Sequence, residues 1–296
     1  PESAVRAVMD FCEATELEKP NGRAVDRVIS LQFPAYGVQH PEHVVWLMHQ
    51  HRAVYELDAD QKQTAEHAEL RDVIHAWDNR VLKRAKHLYA NSLNVADRLR
   101  RFNGLEAEPL YHPPHGADDF FCDDALDYIF FPSRLENLKR QELLIRALPH
   151  MHSPVALLLG GEGGQADRYR ALIDQLEVGH RVRLVGRFTE AEKRVYYARC
   201  LAVAFVPRDE DYGYVTLEAM LSAKPVITCT DSGGPLEFVR DGSNGLVVEP
   251  EPQALAAAID SLYDDRQRAR DMGEQGRADY AAHDISWNNV VERLLA

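Results

Sequence analysis

PRDEDYGYVTLEAMLSAKPV, residues 207–226, carries two glutamates, Glu210 and Glu218, with Tyr212, Gly213, Tyr214, Val215 and Thr216 between them. The apolar run LAVAFVP leads into it and is long enough for one buried strand. Leu217, Met220 and Leu221 then fall on one helical face, and Ala223-Lys224-Pro225 separates that helix from a second apolar strand, VITC. The spacing therefore predicts a strand-to-helix turn in a parallel α/β sheet, where ligands bind beyond the strand ends. One carboxylate falls in the loop and the other in the first turns of the helix. Gly213 lets the backbone approach a ligand closely, and free N–H groups at a helix start attract phosphate. Carboxylates on both sides of a phosphate-binding turn suit a ligand with a phosphate centre and hydroxyls at either end. A nucleotide-sugar has that pattern.

Working outward, the same alternation fills the chain from about residue 113 onward. Strand YIFFPSR leads to a helix from Leu138 to Leu148, and strand VALLLG to the glycine turn Gly160-Gly161-Glu162-Gly163-Gly164. Helix ADRYRALIDQLE and strand RVRLVG follow, then Thr189 and Glu192 in capping-box spacing before the next helix. His112-Pro113-Pro114-His115-Gly116 is the expected domain boundary. Upstream, strands are expected at AVDRVISLQF, HVVWLM, HLYANS and EPLYH. A polar helix over roughly 60–84 and the helix VADRLRRF, ended by Asn103-Gly104, lie between them. The last helix, around Ile285–Leu295, places Trp287, Val290, Val291 and Leu294 on an apolar face.

The net charge of −13 argues against generic nucleic-acid binding. Two local basic clusters, Lys83-Arg84-Lys86 and Arg98-Arg100-Arg101, read as solvated helix faces, with peripheral contact to an anionic membrane as the functional alternative. Four scattered cysteines and no secretory signal or bilayer-length apolar run predict reduced thiols and a cytoplasmic protein. Asp58-Ala59-Asp60 mimics a metal-binding DxD but is expected to cap the following helix. No metal and no cofactor are expected.

Arg134 and Lys139 stand five apart across a strand-to-helix loop, so both can converge on one anion. Gly161-x-Gly163-x-x-Ala166, with Arg187 at the end of the next strand, also loosely fits a dinucleotide fingerprint, which keeps an NADP-dependent oxidoreductase open as a rival. His49 ends a strand, followed by Gln50, His51 and Arg52. Gly233-Gly234-Pro235-Leu236-Glu237 is a turn opening a helix.

Glu210-x7-Glu218 resembles the E-x7-E motif of the family-4 retaining glycosyltransferases. The flanking EDYGYVTLEAM, KPVITCTDSGGPLEFV and DGSNGLVVEP agree in order. Ser133-Arg134-Leu135-Glu136-Asn137-Leu138-Lys139-Arg140 is similar to the family's G-R-L-x-x-x-K-G, with Ser133 and Arg140 in place of glycines. The stretch FPAY…HPEHVVWLMHQHRAVYEL looks like a bacterial-type subset acting on surface polysaccharides. The resemblance implies a GT-B fold of two facing Rossmann-like domains. These would be an acceptor-side domain over 1–112, a nucleotide-sugar domain over 113–280, and a helix over 281–296 packing back on the first. It implies that Glu210 faces the sugar, that Glu218 binds the ribose hydroxyls and that Arg134 and Lys139 hold the diphosphate. Gly161, Glu162, Arg187, Phe188, Tyr212, Gly213 and the backbone of Tyr214, Val215 and Thr216 would also lie at the donor. His49, and more weakly Arg52 and Asn91-Ser92, would face the cleft. The acceptor would be a saccharide or lipid-linked, with the inner face of the membrane as a further location for the protein. The family's opening strand and Gly-rich loop are missing here, which implies a truncated or reduced first domain. That leaves a donor-binding protein without transfer as the alternative.

Overall fold

In the computed structural model residues 2–296 are described, and Pro1 lies outside them. The chain divides into two compact units, Pro1–His112 with Ser286–Ala296, and Pro113–Ile285.

The first unit opens with α1 (Glu2–Ala14), β1 (Val28–Gln32) and β2 (His43–His49). It continues with α2 (Ala65–Val81), β3 (His87–Ala90), α3 (Leu93–Asn103) and β4 (Glu108–Pro109). The four strands pair in parallel in the order β1-β2-β3-β4. Val45 and Leu47 of β2 bury against Ile74 and Trp77 of α2 and Leu99 of α3, the apolar stripes that each element must cover. Ser92 caps α3 by accepting from the Val95 N–H, and Gly104 ends it in the left-handed region at φ 63°.

Three local expectations need correction. The Asp58–Asp60 segment is a separate 3-10 turn, and Thr64 rather than an aspartate caps α2, accepting from His67 N–H. Asp58 instead reaches sideways to His67 Nε2 and Arg71 Nη1, at 2.6 and 3.3 Å. The strand expected at EPLYH shrinks to the two residues of β4 because Pro109 lacks a donor to extend the ladder. Within the basic cluster of α3, Arg98 is buried and ion-paired with Glu56 at 3.3 Å, so that face is not wholly solvated.

The second unit is a six-stranded parallel sheet. Its strands are β5 (Tyr128–Pro132), β6 (Ala156–Gly160), β7 (Val182–Gly186), β8 (Ala202–Ala204), β9 (Val226–Cys229) and β10 (Gly245–Val248). Between them run α4 (Gln141–Ala147), α5 (Ala166–Gln175), α6 (Glu190–Arg199) and α7 (Tyr214–Leu221), with α8 (Pro252–Asp264) and α9 (Arg266–Ala282) last. The order β10-β9-β8-β5-β6-β7 places the reversal of winding between β5 and β8. The apolar runs of β5, β8 and β9 are covered on both faces and carry almost no exposed atoms. Thr189 and Glu192 form the expected capping box at α6.

The chain then returns to the first unit as α10 (Trp287–Leu295). Val290 and Leu294 bury against Val44, Trp46, Tyr89 and Leu110, and Arg27 donates to the carbonyl of Leu294 at 2.9 Å. Trp287 and Val291, expected on the same apolar face, are half exposed, although the Trp287 ring packs edge-on against Trp46 of β2 with 6.4 Å between centres. No helix among the described residues is long and apolar enough to cross a membrane. All four cysteines are free.

Candidate active site

The loops that leave β5 and β8 start at the reversal point of the second sheet, where an open α/β sheet forms a crevice. The β8 loop is stitched to the loop after β9 by backbone pairing. Asp209 N–H donates to Asp231 O, Glu210 N–H to Ser232 O and Gly234 N–H to Glu210 O, at 2.9, 2.9 and 2.8 Å. This makes a parallel bridge between Glu210 and Gly233 beyond the ends of the strands. A Cβ on Gly234 would sit 2.7 Å from Tyr212 O, so only glycine lets the two loops approach this closely. The β5 loop joins them through Arg208 N–H, which donates to Leu138 O at 2.8 Å.

This framework brings Lys139 and Glu210 together, 71 residues apart in sequence, as a direct ion pair with both side chains largely buried. The Lys139 ammonium also lies 5.6 Å from the centre of the Phe205 ring. Arg134, on the same loop, is exposed and makes no side-chain hydrogen bond or ion pair among the described residues. Tyr212 is buried, edge-on to both Tyr214 and Phe238. Gly213 enters α7 at φ 83°. Thr216 N–H is taken by Gly213 O, and its hydroxyl oxygen is buried without a partner.

Glu218 sits one turn into α7 and is 8 % exposed. One of its oxygens accepts from Lys193 Nζ at 2.9 Å and the other from Tyr197 Oη at 2.6 Å. Burial opposes the Lys193 charge, but Glu218 and Glu190 outweigh it and raise the ammonium pKa. Burial and the neighbouring Glu218 push the Tyr197 hydroxyl well above its ordinary value, so it stays a donor. Lys193 and Tyr197 lie four apart on one face of α6, and nothing in their local sequence distinguishes them from a solvated Lys-Tyr pair. Sequence reasoning missed them.

The glycine turn after β6 packs directly on the β5 loop. Leu135 N–H donates to Glu162 O, and a Cβ on Gly161, whose φ is 118°, would lie 2.3 Å from Ser133 O. Glu162 accepts from Arg187 at 2.7 Å on the surface. Phe188 packs against Phe130 and Tyr196.

In the first unit, His49 is half-buried with Nδ1 2.9 Å from the carbonyl of Gln50, and Arg52 is paired with Glu56. Asn91 and Ser92 are buried, Ser92 being committed to its cap. Beneath this strand end lies fully buried Asp78, which accepts from Tyr36 and Tyr55 hydroxyls, both at 2.7 Å, and from the Gln50 amide at 3.0 Å. Burial raises its carboxyl to about 6 against these three donors.

Residues 122–279, more than half of the chain and all of the second-unit site around Glu210 and Glu218, match the family described as Glycosyl transferases group 1. The chain belongs to the group 1 glycosyl transferases. Among curated members it is 27% identical over 248 residues to D-inositol 3-phosphate glycosyltransferase 1 of Catenulispora acidiphila, covering 75% of this chain and 59% of that one. It is 29% identical over 244 residues to the D-inositol 3-phosphate glycosyltransferase of Nocardia farcinica, covering 74% and 53%. The chain thus spans little more than half the length of these relatives. Among solved structures it resembles sucrose-phosphate synthase of Thermosynechococcus elongatus, with TM-score 0.79 and 21% identity over 99% of this chain and 77% of that one. It also resembles Anabaena HepE in complex with UDP and glucose, with TM-score 0.70 and 22% identity over 86% and 71%. These likenesses establish the α/β fold with two parallel sheets as GT-B. Within this group 1 glycosyl transferase, the matched region carries Glu210, Glu218, Arg134 and Lys139, whereas His49 lies outside it.

Proposed function

We propose that the chain binds a nucleotide-diphosphate sugar at the reversal point of the second sheet and transfers its hexosyl group, with retention, to a saccharide or lipid-linked hydroxyl. The observation that carries this reading is the meeting of Lys139 and Glu210 there. A cation able to hold a diphosphate and a carboxylate able to hold sugar hydroxyls stand side by side, next to the start of α7. The HepE structures that the fold resembles hold UDP with glucose and UDP-glucose, which supports the same ligand class here.

In this mechanism Arg134 and Lys139 bind the diphosphate and stabilise it as it departs, and the first N–H groups of α7 add to that field. Glu218, fixed by Lys193 and Tyr197, keeps unused lone pairs for the ribose hydroxyls. The bond from the sugar's anomeric carbon to the phosphate oxygen breaks as the acceptor oxygen bonds that carbon on the same face. The departing phosphate takes the acceptor's proton. No protein nucleophile is required, and Glu210 holds the sugar and the positive charge that develops on it. The resemblance of the Phe33–Leu57 region to polysaccharide-directed enzymes supports a role in surface polysaccharide synthesis in the cytoplasm.

Thermal unfolding with UDP, GDP, ADP and their sugar conjugates tests donor binding. A ligand at 100 times its Kd stabilises by about 2.7 kcal/mol, a shift of roughly 4–8 °C at this size. Once the donor is named, Glu210→Ala is expected to lower transfer by about a hundredfold or more, on the scale of losing one charge-stabilising group. Transfer at the wild-type rate would sink its assignment. Donor binding without single-turnover transfer would favour a binding-only protein.

A further inference from the structure

Arg140 follows Lys139 directly and occupies the left-handed region, φ 54° and ψ 35°, where the resembling family carries glycine and where an L side chain is strained. Its side chain is fully engaged. Nε donates to Val206 O at 2.8 Å and Nη2 to Pro207 O at 2.7 Å. Nη1 and Nη2 grip both oxygens of Asp231, at 2.7 and 2.6 Å. One guanidinium therefore ties three loops together: its own, which carries Lys139; the carbonyls at the end of the β8 run, just before Glu210; and Asp231, whose backbone pairs with Asp209. A planar fork with five N–H groups can satisfy two carbonyls and a bidentate carboxylate at once, which an ammonium cannot.

We infer that Arg140 is a positioning residue that holds the Glu210 loop, and with it the Lys139–Glu210 pair, in working geometry. The consequence for transfer rests on the donor-site reading, but the brace itself does not. Arg140→Gly accepts the left-handed backbone without strain and removes only the fork, so the fold is retained. Asp231→Asn keeps the side chain's shape and removes its charge.

Hydrogen exchange on the full chain is the test. In both variants the amides of Asp209, Glu210 and Gly234 are expected to exchange at least tenfold faster, while those of β5 and β6 keep wild-type protection. With the donor identified by thermal unfolding, kcat is expected to fall at least tenfold in Arg140→Gly. Arg140→Lys should restore less than half of the loss, and the Arg140→Gly, Asp231→Asn double variant should be no worse than Arg140→Gly alone. Wild-type exchange in 206–213, or effects that add in the double variant, would overturn the brace. If the wild-type chain binds no nucleotide, the donor-site reading falls, and the exchange result still decides the brace.

Discussion

Loops after β2 and β8 both leave the C-terminal ends of parallel strands, yet different interactions hold them. The β8 loop is held mainly by main chain, through its bridge to Gly233 and the carbonyls gripped by Arg140. The β2 loop hangs from side chains. Gln50 is fixed by Asp78 of α2 and Asn103 of α3, and Asp78 in turn by Tyr36 and by Tyr55 of the same loop, so three other segments support one loop residue directly or through Asp78. Main-chain pairing tolerates many side chains, so the β8 loop advertises itself only where a special residue is needed. A buried side-chain network needs every member, and its loss is correspondingly severe.

The largest expected effect breaks the second kind of support. Asp78→Ala leaves the Tyr36 and Tyr55 hydroxyl donors without an acceptor in a dry site, and Gln50 with only Asn103; each lost acceptor costs about 1–3 kcal/mol, or roughly 2–5 kcal/mol together. Urea unfolding measures it, and a loss below about 1 kcal/mol would mean that water replaces the carboxylate. Gly161→Ala strikes the main-chain support. Its Cβ would meet Ser133 O and its φ is unfavourable, so about 3 kcal/mol is expected. Gly242→Ala, at φ 71° with nothing within 4 Å, is the control and should cost about 1 kcal/mol.

A smaller effect separates the units by pH. Burial pushes both His43 and His112 of the first unit down to about 4, from 6.5 when exposed. The unfolded chain therefore binds protons that the folded one refuses, and stability is lost as pH falls through 6.5 toward 4. At pH 5 each histidine costs about 2 kcal/mol relative to pH 7. Asp78 has the opposite sign: its raised pKa returns about 1 kcal/mol over the same interval as it gains its proton. A net loss of roughly 3 kcal/mol at pH 5 is expected, and His43→Gln should remove about half of it. Equal unfolding midpoints at pH 7 and pH 5 would contradict both histidine assignments. The smallest effect is Thr189→Ala, which opens the capping box of α6 for about 1 kcal/mol. Because α6 carries Lys193 and Tyr197, the same variant should loosen Glu218 measurably by hydrogen exchange in α7.

Much of the second unit could be read along the chain. Its strands are continuous apolar runs, α6 starts at a Thr-x-x-Glu box, and the turn at Gly213 separates a strand from a helix. Each of these signals is local, because it reflects the period of a strand, the orphan N–H groups of a helix start or a single backbone angle. The segments misread were those where local signals competed. Asp58-Ala59-Asp60 had the composition of a cap, but Thr64, closer to the helix, took the part. Val291 and Trp287 have helical spacing suited to burial, but both stay half exposed, Trp287 at the edge of the contact against Trp46 and His112, while Val290 and Leu294 take the buried stripe.

By itself, then, the sequence determined the strand and helix order, the reversal-point loop and the residue types on which the proposed donor site rests. Tertiary structure alone decided which charges meet: Lys139 with Glu210, Arg140 with Asp231, Lys193 with Glu218, and Asp78 with its tyrosines. Backbone periodicity is written in neighbouring residues. These ion pairs form only when folding brings together groups that lie 25, 71 or 91 positions apart, and the Lys193–Glu218 and Lys139–Glu210 pairs also lose most of their water.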